Sequence, residues 1–138
     1  MSNRVAIVTG GSRGIGAAIA QALAKDGYDI AISYSSSSGA AEEVAEKVRA
    51  LGRKALTIKA NGASVEGNRE VIAEIIIAFG CIDALVCNAG TYPSGPIDEM
   101  TVAQIVYILN LNVWVVMAVT MEAVKHMKDG GRIIYIAP

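Results

Sequence analysis

A short apolar run followed at once by a glycine-rich turn constrains the fold of this chain more than any other stretch. Residues 5–8 read Val-Ala-Ile-Val, as expected for a strand buried on both faces of a sheet. Glycines follow at positions 10, 11, 14 and 16, and apolar residues then recur at helical spacing from Ile15 to Leu23. Such a strand–turn–helix lets a pyrophosphate approach free backbone N–H groups at a positive helix end. The alternative is a generic unit whose glycines serve only tight packing.

Strands and helices are predicted to alternate along the rest of the chain. Further strands are expected at 28–34, 54–60, 82–87 and 132–137, with Ser64 and Thr101 as helix N-caps. Because parallel strands need right-handed crossovers, the pattern predicts an α/β doubly wound sheet (Rossmann-like) with five parallel strands in the order 3-2-1-4-5.

One predicted helix, at 102–127, is unusually apolar. It holds no charged residue from Ile105 to Met121, so it is expected to be buried on two sides, against the sheet and against a second chain. We therefore expect a homo-oligomer formed through helix 102–127, with the open edge of strand 132–137 as another contact. A membrane span is the alternative, and Asn110 and Asn112 in its middle argue against it.

Three motifs together resemble the short-chain dehydrogenase/reductase family. They are the turn spelled Thr-Gly-x-x-x-Gly-x-Gly at 9–16, the Asn-Ala-Gly segment at 88–90, and the Gly-Gly-Arg-Ile-Ile segment at 130–134. The resemblance covers the whole chain. It implies that residues 1–138 are one dinucleotide-binding domain, the N-terminal half of the family's fold without its catalytic half. It also implies that the long helix pairs with its counterpart in a second subunit.

The resemblance and the glycine pattern assign most of the nucleotide contacts. The diphosphate and adenosine side is expected on Thr9, Gly10, Ser12, Arg13, Gly14, Ile15 and Gly16. By resemblance, Asn61 stands where the family has an Asp that accepts a bond from adenine, and an Asn oxygen can accept it too; Gly62 follows it. Also by resemblance, Asn88, Ala89 and Gly90 lie beside the cofactor ribose.

The end of the second strand points to the kind of nicotinamide cofactor. An acidic residue there would accept the ribose 2′-OH of NAD(H), but this chain reads Tyr34, Ser35, Ser36. Arg13 lies in the neighbouring turn and can pair with a phosphate. The residues therefore predict NADP(H) in preference to NAD(H); alternatively, the serines are only a solvated loop.

The family's catalytic residues are largely unmatched. By resemblance, Asn112 corresponds to the structural asparagine of the catalytic tetrad, although an Asn on an apolar helix can equally serve only to bond the backbone. The catalytic Ser position holds Pro138, and none of the five tyrosines is followed by Lys four residues later. We therefore expect an NADP(H)-binding protein without full catalytic activity. The alternatives are a shortened form of an NADP(H)-dependent oxidoreductase acting on a carbonyl or alcohol, or an interaction module that pairs through its long helix.

Charge and cysteine content exclude other classes of partner. A formal net charge of −1 leaves no basic stripe for nucleic acid. Cys81 and Cys87 lack metal-ligand spacing, and Cys87 is expected to be a small buried apolar group. With no secretory leader before Val5, a reducing cytoplasmic location is expected.

Overall fold

A computed structural model describes residues 3–60, 64–90 and 95–136. Within them, one five-stranded sheet has the order β3-β2-β1-β4-β5, and every pair is parallel, as predicted. The strands are β1 Arg4–Thr9, β2 Tyr28–Tyr34, β3 Ala55–Lys59, β4 Ile82–Cys87 and β5 Met127–Tyr135. The predicted contacts Asn61 and Gly62, and Pro138, lie outside the described residues.

Helices connect these strands. They are α1 Gly14–Lys25, α2 Ser38–Ala50, α3 Val65–Phe79, α4 Val102–Leu109 and α5 Val115–Val124, with a 3₁₀ turn at Ile97–Glu99 and a π turn at Asn110–Trp114. The predicted caps are confirmed: Ser64 Oγ accepts from Gly67 N at 3.0 Å, and Thr101 forms a capping box with Gln104.

The apolar run of β1 is buried on both faces, as its sequence predicts. Val5 and Ile7 pack in one core layer with α3 and α5, whereas Ala6 and Val8 pack in a second layer with α1 and α2. All four are at most 1% exposed. The sheet therefore holds β1 rigidly, and the turn after it starts from a fixed point.

The helix predicted at 102–127 is shorter than expected and is not regular throughout. It ends at Val124, and the π turn Asn110–Trp114 divides it. Asn112 Nδ2 donates to Ile108 O at 3.0 Å inside this segment, and side-chain bonds to the preceding turn are a known cause of such irregularity. His126 follows α5 as an exposed turn residue.

The last strand begins earlier than predicted. Met127 pairs with Ile82, and the regular register resumes only where Arg132 pairs with Ala84. Residues 128–131 are therefore an insertion between two paired positions, and Gly130 takes a φ of 89° there. Regular pairing begins at Arg132, the predicted first residue, and the described strand ends at Tyr135.

The segment Val102–Val124 is, within the described residues, long and apolar enough to cross a bilayer by length and composition alone, with a mean hydropathy of 1.9. Core helices of soluble proteins meet the same criterion, so this observation is weak. Here α5 contributes Val115, Val119 and Ala123 to the core layer that contains β1 and β4. The expectation that it does not span a membrane stays a prediction.

Candidate nucleotide-binding site

The turn between β1 and α1 is shaped by glycines that other residues cannot replace. Gly10 and Gly14 have φ values of 64° and 58°, in the left-handed region that favours glycine. Gly11 N donates to Ser33 O at 3.2 Å, which joins the turn to the end of β2. Arg13 occupies the N-cap of α1, and its side chain carries no acceptor for the first N–H groups of the helix. Those groups are therefore placed to bind an anion.

The turn also packs tightly against the segment after β4. A Cβ on Gly16 would lie 2.4 Å from Gly10 O and 2.6 Å from Asn88 Nδ2, and a Cβ on Gly10 would lie 2.9 Å from Ala89 Cα. Two stretches of backbone thus meet where no side chain fits, so both positions require glycine.

A buried hydroxyl holds these two segments together. Thr9 Oγ1 accepts hydrogen bonds from Asn88 N and Ala89 N, both at 3.0 Å, and the residue is 7% exposed. Asn88 Nδ2 donates in turn to Gly10 O at 3.1 Å. The end of β1 and the Asn-Ala-Gly segment therefore form one hydrogen-bonded unit.

Arg13 lies beside the loop that follows β2. Its Nη2 donates to Ser37 Oγ at 3.0 Å, and Ser37 is the N-cap of α2. The guanidinium and the N-terminus of α2 are both positive and adjoin the same serine-rich loop. This arrangement can bind a phosphate carried on the ribose end of a nucleotide.

These elements surround an open cleft of about 680 Å³ at the carboxyl ends of the strands. Its size is in the range of cofactor sites, and the described residues that line it include no acidic side chain. Asn112 lies just outside: a Cβ on Gly90 would be 2.6 Å from Asn112 Oδ1, so the π turn packs directly on the Asn-Ala-Gly segment.

A family model described as short chain dehydrogenase matches residues 4–138. The chain belongs to the short-chain dehydrogenase family. Among curated proteins it is similar to an uncharacterized oxidoreductase of Methylorubrum extorquens, with 40% identity over 99% of this chain and 55% of that one. It is also similar to hydroxynaphthalene reductase arp2 of Aspergillus fumigatus, with 39% identity over 99% of this chain and 50% of that one.

Solved structures give the same result. A short-chain dehydrogenase from Burkholderia cenocepacia, in complex with NADP, has a TM-score of 0.94 and 43% identity, covering 97% of this chain and 55% of that chain. A short-chain dehydrogenase/reductase from Serratia marcescens has a TM-score of 0.94 and 41% identity over 99% of this chain and 56% of that chain. The chain spans about half the length of the relatives it matches.

The cleft of this short-chain dehydrogenase chain brings together most of the residues predicted from sequence. Those that line it are Gly10, Ser12, Arg13, Ile15, Tyr34, Ser35, Asn88, Ala89 and Gly90. Thr9, Gly14, Gly16 and Ser36 are not among the lining residues; Thr9 and Gly16 instead support the turn from behind. Their roles toward a nucleotide stay predictions.

Other residues line the cleft without having been predicted. They are Ser33, Ala60, Asn68, Tyr107 and Leu111. Ser33 directly precedes Tyr34, and Ala60 directly precedes Asn61, both of which were already assigned to the site. Including the residue before each assigned position would therefore have indicated them. Asn68, Tyr107 and Leu111 lie inside helices, and their sequence surroundings carry no comparable signal.

The two cysteines do not add chemistry to the site. Burial raises the pKa of the Cys87 thiol to about 11, so the thiol is neutral at physiological pH, in line with the expected apolar role. Among the described residues, no group of three or more His, Cys, Asp or Glu is arranged to hold a metal ion.

The close approach at Gly16 predicts a large effect of a single methyl group. Gly16→Ala is expected to lower the free energy of unfolding by about 1–3 kcal/mol, because the new Cβ meets backbone that is itself held by the sheet. Gly39→Ala is the matched control, since no atom lies within 4 Å of its Cβ and its φ is ordinary. It should be neutral or stabilising. Urea unfolding measures both, and equal stability of the two variants would contradict the close approach.

Proposed function

We propose that residues 1–138 bind NADP(H) in preference to NAD(H), through the cleft between the β1–α1 turn and the ends of β2 and β4. The observation that carries this is the position of Arg13, whose guanidinium is 3.0 Å from Ser37 Oγ beside the loop where a 2′-phosphate would lie. The NADP complex of the Burkholderia cenocepacia relative supports the class of cofactor.

Charge at the end of β2 favours the phosphorylated cofactor. An NAD(H) site commonly uses a carboxylate there, which accepts a bond from the ribose 2′-OH and would repel a phosphate. The corresponding residues here are Tyr34 and Ser35, and α2 begins shortly afterwards with no acidic residue in its first turn. A phosphate dianion would therefore meet hydroxyls, a guanidinium and a helix N-terminus.

The remaining contacts follow from the fit of the backbone. The glycine turn would hold the diphosphate, because a Cβ at Gly10 or Gly16 would clash with neighbouring backbone, and the N-cap of α1 carries no side-chain bond to the first N–H groups of the helix. Asn88, Ala89 and Gly90 would contact the ribose that carries the nicotinamide. When bound, the nicotinamide supplies a hydride.

We propose further that these residues alone do not carry out hydride transfer at a rate typical of the family. Reduction of a carbonyl also needs a proton donor of matched pKa, and no tyrosine of this sequence is followed by lysine four residues later. The alternative is that residues 1–138 form part of a longer NADP(H)-dependent oxidoreductase, which the names of the relatives favour. Because both cysteines are free thiols, a reducing compartment such as the cytoplasm suits the chain.

Calorimetric titration tests the binding proposal. NADPH is expected to bind at least tenfold more tightly than NADH, the equivalent of about 1.4 kcal/mol. Equal affinities for NADPH and NADH would reject the preference. The absence of a binding heat with either cofactor would reject the proposal that the chain binds NADP(H). Absorbance at 340 nm, followed with carbonyl compounds present, should stay constant; rapid NADPH oxidation by protein of confirmed mass would overturn the second proposal.

A second candidate function is self-association through the α4–α5 surface, which we define as Tyr107, Trp114, Met117 and Met121. These side chains are 48%, 66%, 55% and 61% exposed, although large apolar residues seldom cluster in contact with water. A second copy could cover them, since a specific interface buries about 800 Å² per partner. The outer edge of β5, where Ile134 and Tyr135 are also exposed, is the alternative contact.

Trp114→Glu is expected to dissociate the oligomer, because a carboxylate at the centre of an apolar contact would be buried without a partner. Leu51→Glu is the matched control: it also places a charge at an exposed apolar position, but next to α2, which packs on the other face of the sheet. Sedimentation at micromolar concentration measures the effect. A wild-type monomer near 14.4 kDa would reject self-association. An oligomer that Trp114→Glu leaves unchanged would show that the interface lies outside the α4–α5 surface.

A further inference from the structure

Helix α4 lies between the nucleotide cleft and the apolar α4–α5 surface without being packed into the core. Its sequence is almost entirely apolar, yet none of its eight residues is buried in the part of the chain that the structure describes. By contrast, α5 places Val115, Val119 and Ala123 in the core layer that contains β1 and β4. Among the described elements, α4 packs chiefly on the π turn Asn110–Trp114 that follows it. The placement of α4 therefore depends largely on this turn.

The π turn contacts the cleft at one end and the α4–α5 surface at the other. Leu111 is 6% exposed and lines the cleft, and Asn112 packs directly on Gly90 of the Asn-Ala-Gly segment. Trp114, which ends the same turn, is 66% exposed and belongs to the α4–α5 surface. All of the turn residues that make these contacts lie within five consecutive positions. A change in how the turn packs on the cleft is therefore transmitted directly to Trp114.

Tyr107 of α4 belongs to both surfaces. It lines the cleft, and it is also one of the four residues that define the α4–α5 surface, where it is 48% exposed. A nucleotide in the cleft and a second copy on the α4–α5 surface would therefore contact the same ring. Each would hold α4 in one placement, so the first to bind removes part of the ordering cost that the other would meet. The expected coupling is therefore positive.

We propose that NADP(H) binding and self-association are thermodynamically coupled through α4 and the π turn, so that each strengthens the other. The coupling rests on the proposed function, because it needs a nucleotide in the cleft, and it deepens that function by making cofactor affinity depend on protein concentration. The partner is a second copy of the chain. The helical segment holds no charged residue from Ile105 to Met121, so two copies can meet about a two-fold axis without burying a charge.

Coupling between two binding equilibria is reciprocal, so two independent measurements must agree. Sedimentation equilibrium with and without saturating NADP⁺ gives the change in the dissociation constant of the dimer. Calorimetric titration with NADP⁺, at protein concentrations below and above that constant, gives the change in cofactor affinity. We expect the dimer to bind NADP⁺ about threefold more tightly than the monomer does. NADP⁺ should then lower the dissociation constant of the dimer about ninefold, because each dimer holds two sites.

Asn112→Ala tests whether the π turn carries the coupling. It removes the 3.0 Å bond to Ile108 O and the contact with Gly90, so NADP⁺ should change the dissociation constant of the dimer by less than about twofold. Thr120→Val is the matched control. It removes the same kind of bond, 2.8 Å long, to Val116 O in α5, away from the cleft, and should keep the full change. Each ratio is taken within one variant, so a general loss of affinity or of association cancels.

The outcomes distinguish the coupling from the proposed function. If calorimetry detects no binding of NADP⁺, the proposed function fails and the coupling fails with it. If NADP⁺ binds but the protein stays monomeric, or the dissociation constant of the dimer is unchanged or raised, the coupling is overturned and nucleotide binding stands. A full change in Asn112→Ala would overturn the role of the π turn. If this variant does not fold, the two wild-type measurements decide, because a coupling factor of one in either of them overturns the proposal.

Discussion

Arg13→Ala is expected to weaken NADPH binding by about 10- to 150-fold while NADH binding changes by less than about threefold, because a hydrogen bond to a charged group contributes about 1.5–3 kcal/mol. The guanidinium lies beside Ser37, and in the proposed binding mode only the phosphorylated cofactor carries a charge there. NADH has a hydroxyl at that position, so the substitution removes little from its binding. The difference between the two cofactors is therefore the informative quantity.

Two further variants sharpen this measurement. Arg13→Lys keeps the charge but loses the planar fork that bonds a phosphate through two N–H groups, so an intermediate loss is expected. Arg4→Ala removes an arginine that stacks on Tyr28 at the opposite end of β1, and it should leave both affinities unchanged. Equal losses of NADPH and NADH affinity in Arg13→Ala would reject the pairing of Arg13 with the 2′-phosphate.

Thr9→Val is expected to lower the free energy of unfolding by about 2–6 kcal/mol, because it leaves two backbone N–H groups without their acceptor and each such group costs about 1–3 kcal/mol. Those groups belong to Asn88 and Ala89, and both lie 3.0 Å from Thr9 Oγ1. Valine has nearly the shape of threonine, so packing is preserved and the hydroxyl is the main change. A domain of this size has about 5–15 kcal/mol of stability in total, so the loss is a large fraction of it.

Thr9→Ser is the control, because it keeps the hydroxyl and deletes a methyl group. We expect urea unfolding to place it close to the wild type, with Thr9→Val far below both. The Val variant should also bind NADPH more weakly, since the Asn-Ala-Gly segment would no longer be held against the β1–α1 turn. Equal stability of the Val and Ser variants would show that the hydroxyl does not clamp the segment.

The helix ends and strand limits were predictable where the deciding interactions are local. Ser64 caps α3 through Gly67, three residues away, and Thr101 caps α4 through Gln104, also three residues away. The limits of β2 and β4 match their predicted ranges because each strand has an apolar centre, at 30–32 and 84–87, between polar turns. The strand order followed from the handedness of parallel crossovers.

Two elements were placed wrongly because competing interactions decided them. A continuous apolar pattern predicted one helix over 102–127, but the bond from Asn112 to Ile108 and the contact of Asn112 with Gly90 accompany a π turn that apolar periodicity does not record. The early start of β5 depends on the pairing of Met127 with Ile82 of the neighbouring strand β4. Gly130 and Gly131 belong to the insertion that separates this pair from the regular part of the strand.

The sequence by itself determined the β1–α1 unit, the alternation of strands and helices, and the charge pattern at the end of β2. All three depend on residues that are close together in the chain. Only the tertiary structure decided how the site is assembled. Thr9 and Gly16 meet Asn88 across more than 70 positions, and Asn68 reaches the cleft from inside a helix. Such contacts depend on the register between β1 and β4 and on the position at which α3 packs against the sheet. No local pattern of residue types encodes either of these.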